Sequence, residues 1–91
     1  MKERRIVIIY CAQCQWLLRA AWLAQELLMT FGQDLTEVAL APGSGGIFEV
    51  RWGSEVLWSR AVEGRFPEAK EIKRLVRDRV DPDRDLGHVD R

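Results

Sequence analysis

Ile6, Val7, Ile8 and Ile9 form an unbroken run of β-branched residues, and a pair of cysteines follows it almost at once. The run predicts a strand buried on both faces. Tyr10 ends it, Cys11-Ala12-Gln13-Cys14 comes next, and from Gln15 the apolar spacing takes a helical period for about four turns. A buried strand, a tight turn carrying CxxC and a long amphipathic helix together make the layout of a dithiol redox site. In that layout the turn sets both sulfurs beside the free N–H groups and positive dipole end of a helix, which favours thiolate over thiol.

Other uses of two cysteines are weighed against this one. They can serve as buried hydrophobes, as half of a zinc site or as an inert disulfide. Zinc normally takes four ligands, and the remaining good candidate is His88 in a charged terminal stretch, so no metal site is expected. Met1-Lys2-Glu3-Arg4-Arg5 leads into no secretory signal, so the expected compartment is a reducing cytoplasm, where CxxC is more often catalytic than structural. No apolar run approaches the ~18–20 residues that span a bilayer. The 14 basic and 14 acidic side chains balance and are interspersed, without a basic run or an aromatic-basic platform. Neither a nucleic acid nor a membrane is therefore expected as partner. A chain of 91 residues supports one core.

On a helical wheel Leu17, Ala20, Ala21, Ala24, Leu27, Leu28 and Phe31 share one side, and Gln15, Arg19, Glu26 and Thr30 the other. Trp22 falls within that polar stripe, with Leu18 and Met29 on its shoulder. Gly32 is the expected helix stop. Leu35 to Ala41 reads as a second strand, parallel to the first because a crossover helix joins them. Pro42-Gly43-Ser44-Gly45-Gly46 is a loop, and the absence of lysine in it excludes a phosphate loop. Ile47 to Trp52 alternates, Gly53-Ser54 is a hairpin signal, and Glu55 to Arg60 returns with Val56 and Trp58 on one face. Pro67 suits the first position of a last helix, with Ala69, Ile72, Leu75, Val76 and Val80 as its buried stripe. The charges between them read as a solvated face. The expected organisation is an α/β domain over 1–80, ordered β-α-β-β-β-α as a four-stranded mixed sheet with two helices, and a charged C-terminal tail over 81–91. That order is thioredoxin-like.

Several motifs in this order carry a resemblance. Val7 to Tyr10 run into Cys11-Ala12-Gln13-Cys14. A loop leads to Gly46-Ile47-Phe48-Glu49-Val50, the hairpin turns at Gly53, and Gly64-Arg65-Phe66-Pro67-Glu68-Ala69-Lys70-Glu71-Ile72-Lys73 opens the last helix. With these the chain resembles the selenoprotein W, T and H group of thioredoxin-like proteins, the Rdx family, and looks most like its bacterial members related to selenoprotein W. The resemblance covers about residues 5 to 80. It implies a thiol–disulfide oxidoreductase or redox regulator using Cys11 and Cys14, with no bound cofactor and with glutathione as the candidate co-substrate. It also implies that the Cys14 position is selenocysteine in animal relatives. Sulfur there is the weaker nucleophile, so high peroxidase turnover is not expected. Thioredoxin-like proteins usually carry a cis-proline before the strand facing the CxxC. Here Gly45-Gly46 stands in that place, which permits close backbone approach to the sulfurs.

Two assignments stay open at this level. Fold analogy makes Cys11 the attacking thiol and Cys14 the resolving one, whereas selenocysteine at the second position argues the reverse. The expected partner is glutathione or a protein thiol or disulfide. The alternative is a non-catalytic redox-sensing or protein-interaction module on the same scaffold, with the Trp22 face as the candidate surface for a homodimer or a protein partner.

Overall fold

The structure, a computed structural model, describes residues 4–87. The elements run β1 (Arg5–Cys11), α1 (Leu17–Phe31), β2 (Glu37–Gly43), β3 (Phe48–Trp52), β4 (Glu55–Ser59), α2 (Arg60–Glu63) and α3 (Ala69–Val80). The sheet is four-stranded and mixed, ordered β2-β1-β3-β4. β1 is parallel to β2 and antiparallel to β3, and β3 is antiparallel to β4. The β-branched run thus lies in an inner strand, between two partners.

Burial of β1 alternates along its length. Ile6, Ile8 and Tyr10 are buried, opposite Trp52, Val50 and Phe48 of β3, and they meet Ala20, Leu23, Ala24, Leu27 and Phe31 of α1 and Ile72 and Val76 of α3 in one core. Val7 and Ile9 point to the other face and are only half-buried, so the expectation of burial on both faces is corrected. Their neighbours there are Ala39 and Ala41 of β2 and the Arg51–Glu49 ion pair (2.7 Å) of β3. Small side chains and a charge pair shield that face only from the side. Ala20 and Ala24 let α1 lie close on the sheet. Its buried stripe includes Leu23 and excludes Leu17 and Leu28, both exposed, because they fall on the shoulder of the wheel rather than its centre. Gly32 ends α1 with right-handed backbone angles, not as a left-handed stop.

The hairpin turns at Gly53, whose φ of +59° suits glycine. Its second strand departs from simple alternation. Val50 pairs with Trp58 but Arg51 pairs with Val56, so Leu57 is an extra residue in the ladder. This β-bulge turns Val56 to solvent while Trp58 stays buried, which separates two residues expected on one face.

The described residues include a third helix, the single turn α2. It is closed by Gly64 in the left-handed conformation (φ +77°), whose N–H donates to the Arg60 carbonyl at 2.8 Å. Pro67 lies before α3 rather than inside it, because Glu68 is the N-cap and its N–H donates to the Glu71 carboxylate at 2.8 Å. The charged face of α3 is not all solvated: Lys73 is 6% exposed and pairs at 3.0 Å with Glu26 of α1. After α3 the chain folds back. The Arg84 guanidinium holds the Asp34 carboxylate at 2.7 and 3.2 Å, and Leu86 packs against the core. That arginine keeps the Asp34 carboxyl below its ordinary pKa, chiefly through the hydrogen bond. His88 lies outside the described residues. No helix among the described residues is long and apolar enough to cross a membrane.

Candidate redox site

The last residue of β1 is Cys11, and two backbone bonds tie it and the turn after it to the β2–β3 loop and the end of β2. The Cys11 N–H donates to the Ile47 carbonyl (2.8 Å) and the Ala12 N–H to the Gly43 carbonyl (3.1 Å). The chain then reverses: the Gln15 N–H donates to Ala12 O (3.1 Å) and the Trp16 N–H to Cys11 O (3.4 Å). Gln15 makes the reversal in the left-handed region, at φ +61°, and is the one non-glycine residue with positive φ among the described residues. The helical pattern therefore starts at Leu17, two residues later than the spacing suggests, with Trp16 as N-cap. Both cysteines lie outside α1. Helix-dipole effects fall off within a turn, so the dipole has less hold on these thiols than a CxxC inside the first turn would give it.

Cys11 and Cys14 form a disulfide with a Cα–Cα separation of 5.3 Å, within the range such a bond requires. Their environments differ sharply. Cys11 is 1% exposed beneath the loop, and Cys14 is exposed on the outer side of the turn. The loop that covers Cys11 is shaped by glycine. Gly45 and Gly46 have φ of +72° and +76°, and a Cβ at Gly43 would stand 2.7 Å from Ile47 Cγ2. No cis peptide bond occurs among the described residues.

Beside the turn lies a cluster that sequence reasoning did not single out. The Trp16 ring meets Phe66 edge-on with centroids 4.8 Å apart, and Phe48 meets Phe66 in the same way at 5.2 Å. The Arg19 guanidinium lies 4.1 Å from the Phe66 ring, and that of Arg60 lies 5.0 Å from both Phe66 and Trp16. Phe66 is held there by its neighbour: the Arg65 carbonyl accepts the Trp58 Nε1–H at 3.2 Å, while the Arg65 guanidinium stacks on Trp58 at 4.8 Å and binds Glu71 at 2.7 Å. Arg19, Trp22, Leu23, Phe48, Phe66 and Pro67 line a shallow pocket that is part-open to solvent. Trp16 was open to discovery from its place beside the CxxC. Arg60 was not, because it arrives through α2, which carries no apolar period.

Trp22 borders this pocket and is 51% exposed. Leu18 (83%) and Met29 (79%) continue the exposed apolar stripe along α1. Among the described residues no three histidine, cysteine or acidic side chains are grouped to hold a metal.

A strand-to-helix dithiol on a four-stranded mixed sheet defines a thioredoxin-like redox protein. Residues 5–78 match the Rdx family, and the chain belongs to it. A protein of known crystal structure from Bordetella parapertussis is 64% identical, over 82% of this chain and 95% of that one, with a TM-score of 0.81. A selenoprotein W-related protein from Vibrio cholerae is 50% identical, over 88% of this chain and all of that one, with a TM-score of 0.84. No curated protein matches the chain.

Proposed function

We propose that the protein is a cytoplasmic thiol–disulfide oxidoreductase in which Cys14 is the exchanging sulfur and Cys11 the resolving one, with glutathione or a protein thiol as partner. The observation that carries this reading is the contrast in exposure between Cys14 and the buried Cys11. Access decides which sulfur of a disulfide is attacked. An incoming thiolate bonds to Cys14 Sγ, the Cys11–Cys14 bond breaks, and Cys11 leaves with the electron pair and takes up a proton. A second thiolate then attacks the partner sulfur of the mixed disulfide and frees Cys14. The protein gains two electrons and two thiols leave as one disulfide. In reverse, the reduced protein reduces a disulfide.

Trapping tests the assignment. Cys11→Ser treated with glutathione disulfide should accumulate a mixed disulfide at Cys14, read by mass. Cys14→Ser should form one at Cys11 about ten-fold more slowly or worse, as burial of that thiol requires. Equal trapping, or faster trapping at Cys11, would reverse the roles. A pair that cannot be reduced by glutathione at any ratio would leave the disulfide structural.

The exposed stripe Leu18–Trp22–Met29 favours a second reading, in which α1 joins two copies of the chain in a symmetric dimer. Sedimentation at micromolar concentration should then show a dimer that Trp22→Glu splits. A monomer in both cases removes this reading.

A further inference from the structure

We infer that Arg19 and Arg60, gathered round Phe66 beside the redox turn, form an anion cradle for a carboxylate of the disulfide or thiol exchanged at Cys14. The preferred small substrates are then acidic thiols and their disulfides. The inference rests on the exchange reading above and names the substrate class for it.

The distribution of charge supplies the first argument. Arg5, Arg51, Arg65 and Arg84 each hold a carboxylate at 2.7 or 2.8 Å, and Arg79 holds Glu55. Arg19 and Arg60 have no carboxylate partner among the described residues, although the chain has as many acids as bases. These two cations share one aromatic ring.

Geometry supplies the second. A guanidinium held over a ring still carries N–H donors that can bond something else. Arg60 Nε is buried without a hydrogen-bond partner. That nitrogen is closed to a ligand, but the terminal N–H donors of the same guanidinium are not buried and can meet an oxygen in its plane. Carboxylates present such oxygens in the matching fork.

Position supplies the third. Trp16 is two residues from Cys14, so their Cα atoms are at most about 7.6 Å apart. Its ring touches both Phe66 and the Arg60 guanidinium. Arg19 and Phe66 continue as walls of the shallow pocket that reaches Trp22. The pocket is shallow and part-open to solvent, and takes only the carboxylate end of a ligand whose sulfur stays at the turn. In the reduced protein Cys14 thiolate attacks the near sulfur of the held disulfide. The Cys14–S bond forms, the disulfide bond breaks, and the acidic thiolate leaves with the electron pair and is protonated by water. Cys11 thiolate then closes on Cys14 and releases the second thiol.

The test compares the reduced full chain against three disulfides: glutathione disulfide (anionic), cystamine (cationic) and bis(2-hydroxyethyl) disulfide (neutral). Arg19→Gln should slow exchange with glutathione disulfide about five-fold, the upper worth of a partly exposed ion pair, and leave the neutral disulfide unchanged. Arg60→Gln should do the same, and Arg19→Glu should shift preference toward cystamine. Arg19 is exposed on α1, so its replacement leaves the fold intact and that variant alone suffices. Rates altered equally for all three disulfides, or for none, would overturn the cradle. Glutathione sulfonate, which cannot exchange, gives a second readout through tryptophan fluorescence of the oxidised protein. Exchange with none of the disulfides would defeat the oxidoreductase reading. Sulfonate binding that requires Arg19 would still uphold the anion site, and failure to bind would overturn it.

Discussion

Gly43→Ala tests how firmly the β2–β3 loop is locked to the redox turn. A Cβ at this position would stand 2.7 Å from Ile47 Cγ2 and 3.1 Å from Ile9 Cγ2, where relaxed carbon contacts need ~3.5–4.0 Å. Two effects oppose each other. Losing glycine from the unfolded chain stabilises by about 0.4–1 kcal/mol, and Gly43 is not among the residues with positive φ, so the backbone accepts alanine. Against that, Ile47 is β-branched and stiff about χ1, and Ile9 closes the other side, so the overlap costs about 1–3 kcal/mol. The overlap wins by roughly 1–2 kcal/mol, which at about 4–8 °C per kcal/mol lowers Tm by at least 4 °C. Ile47 and Gly43 also supply the carbonyls that hold Cys11 and Ala12, so the Cys11 amide should lose hydrogen-exchange protection. Thermal unfolding of Gly43→Ala, Ile47→Ala and the double variant, all as the disulfide form, closes a cycle. The double variant should recover about 1 kcal/mol relative to the sum. A Gly43→Ala protein as stable as the parent, or a cycle with no coupling, would refute the argument.

Two further predictions concern charge. Glu71 is held at about pKa 2, first by hydrogen bonding to Arg65 and then by the Glu68 N–H. A depressed carboxylate stabilises the fold fully above its unfolded value of 4.5 and loses that contribution as pH falls toward 2. The shift corresponds to about 3 kcal/mol, and solvent screening of the half-exposed Arg65 reduces it to about 1–2 kcal/mol. Glu71→Gln should show that deficit by denaturant unfolding at pH 7 and none near pH 2. A deficit independent of pH would disprove it. Glu26→Ala should cost about 1–3 kcal/mol by leaving the buried Lys73 ammonium unpaired, and Glu26→Leu with Lys73→Met should recover most of it. Chemical denaturation of both would show it, and equal losses would contradict it.

The order of strands and long helices was legible because each is written in short-range patterns: the Ile6–Ile9 run, the period of α1, the alternation of Phe48, Val50 and Trp52, and the glycine at 53. What escaped depends on neighbours instead. Val7 and Ile9 are half-buried because their lateral partners are Ala39, Ala41 and an ion pair, and nothing local encodes that pairing. Leu57 bulges because of its register against Val50 and Arg51. Lys73 is buried because Glu26 lies opposite on another helix. The two cysteines were legible as a pair. Their unequal exposure was not, since it depends on a loop more than thirty residues away. The cluster round Phe66 was hidden for the same reason: its members come from α1, β3, α2 and the segment before α3.

Gln15 links the site's geometry to its chemistry. Its left-handed backbone, at φ +61°, lets the chain leave Cys14 exposed and still enter α1 at Leu17. An L-residue pays about 1–2 kcal/mol for that conformation, and glycine does not. Glycine adds entropy to the unfolded chain in return, so Gln15→Gly should leave stability unchanged or raise it by up to about 1 kcal/mol. Gln15→Val, β-branched and poorly tolerated at positive φ, should lose about 1–2 kcal/mol. The chemical readout runs in parallel. Gln15→Gly keeps the reversal and should keep the alkylation rate of Cys14 in the reduced protein. Gln15→Val strains the turn and should change that rate while Cys11 stays protected. Equal destabilisation by glycine and valine would mean that position 15 is valued for its side chain. The exposure of Cys14 would then have to come from the bonds of Cys11 and Ala12 to the loop alone.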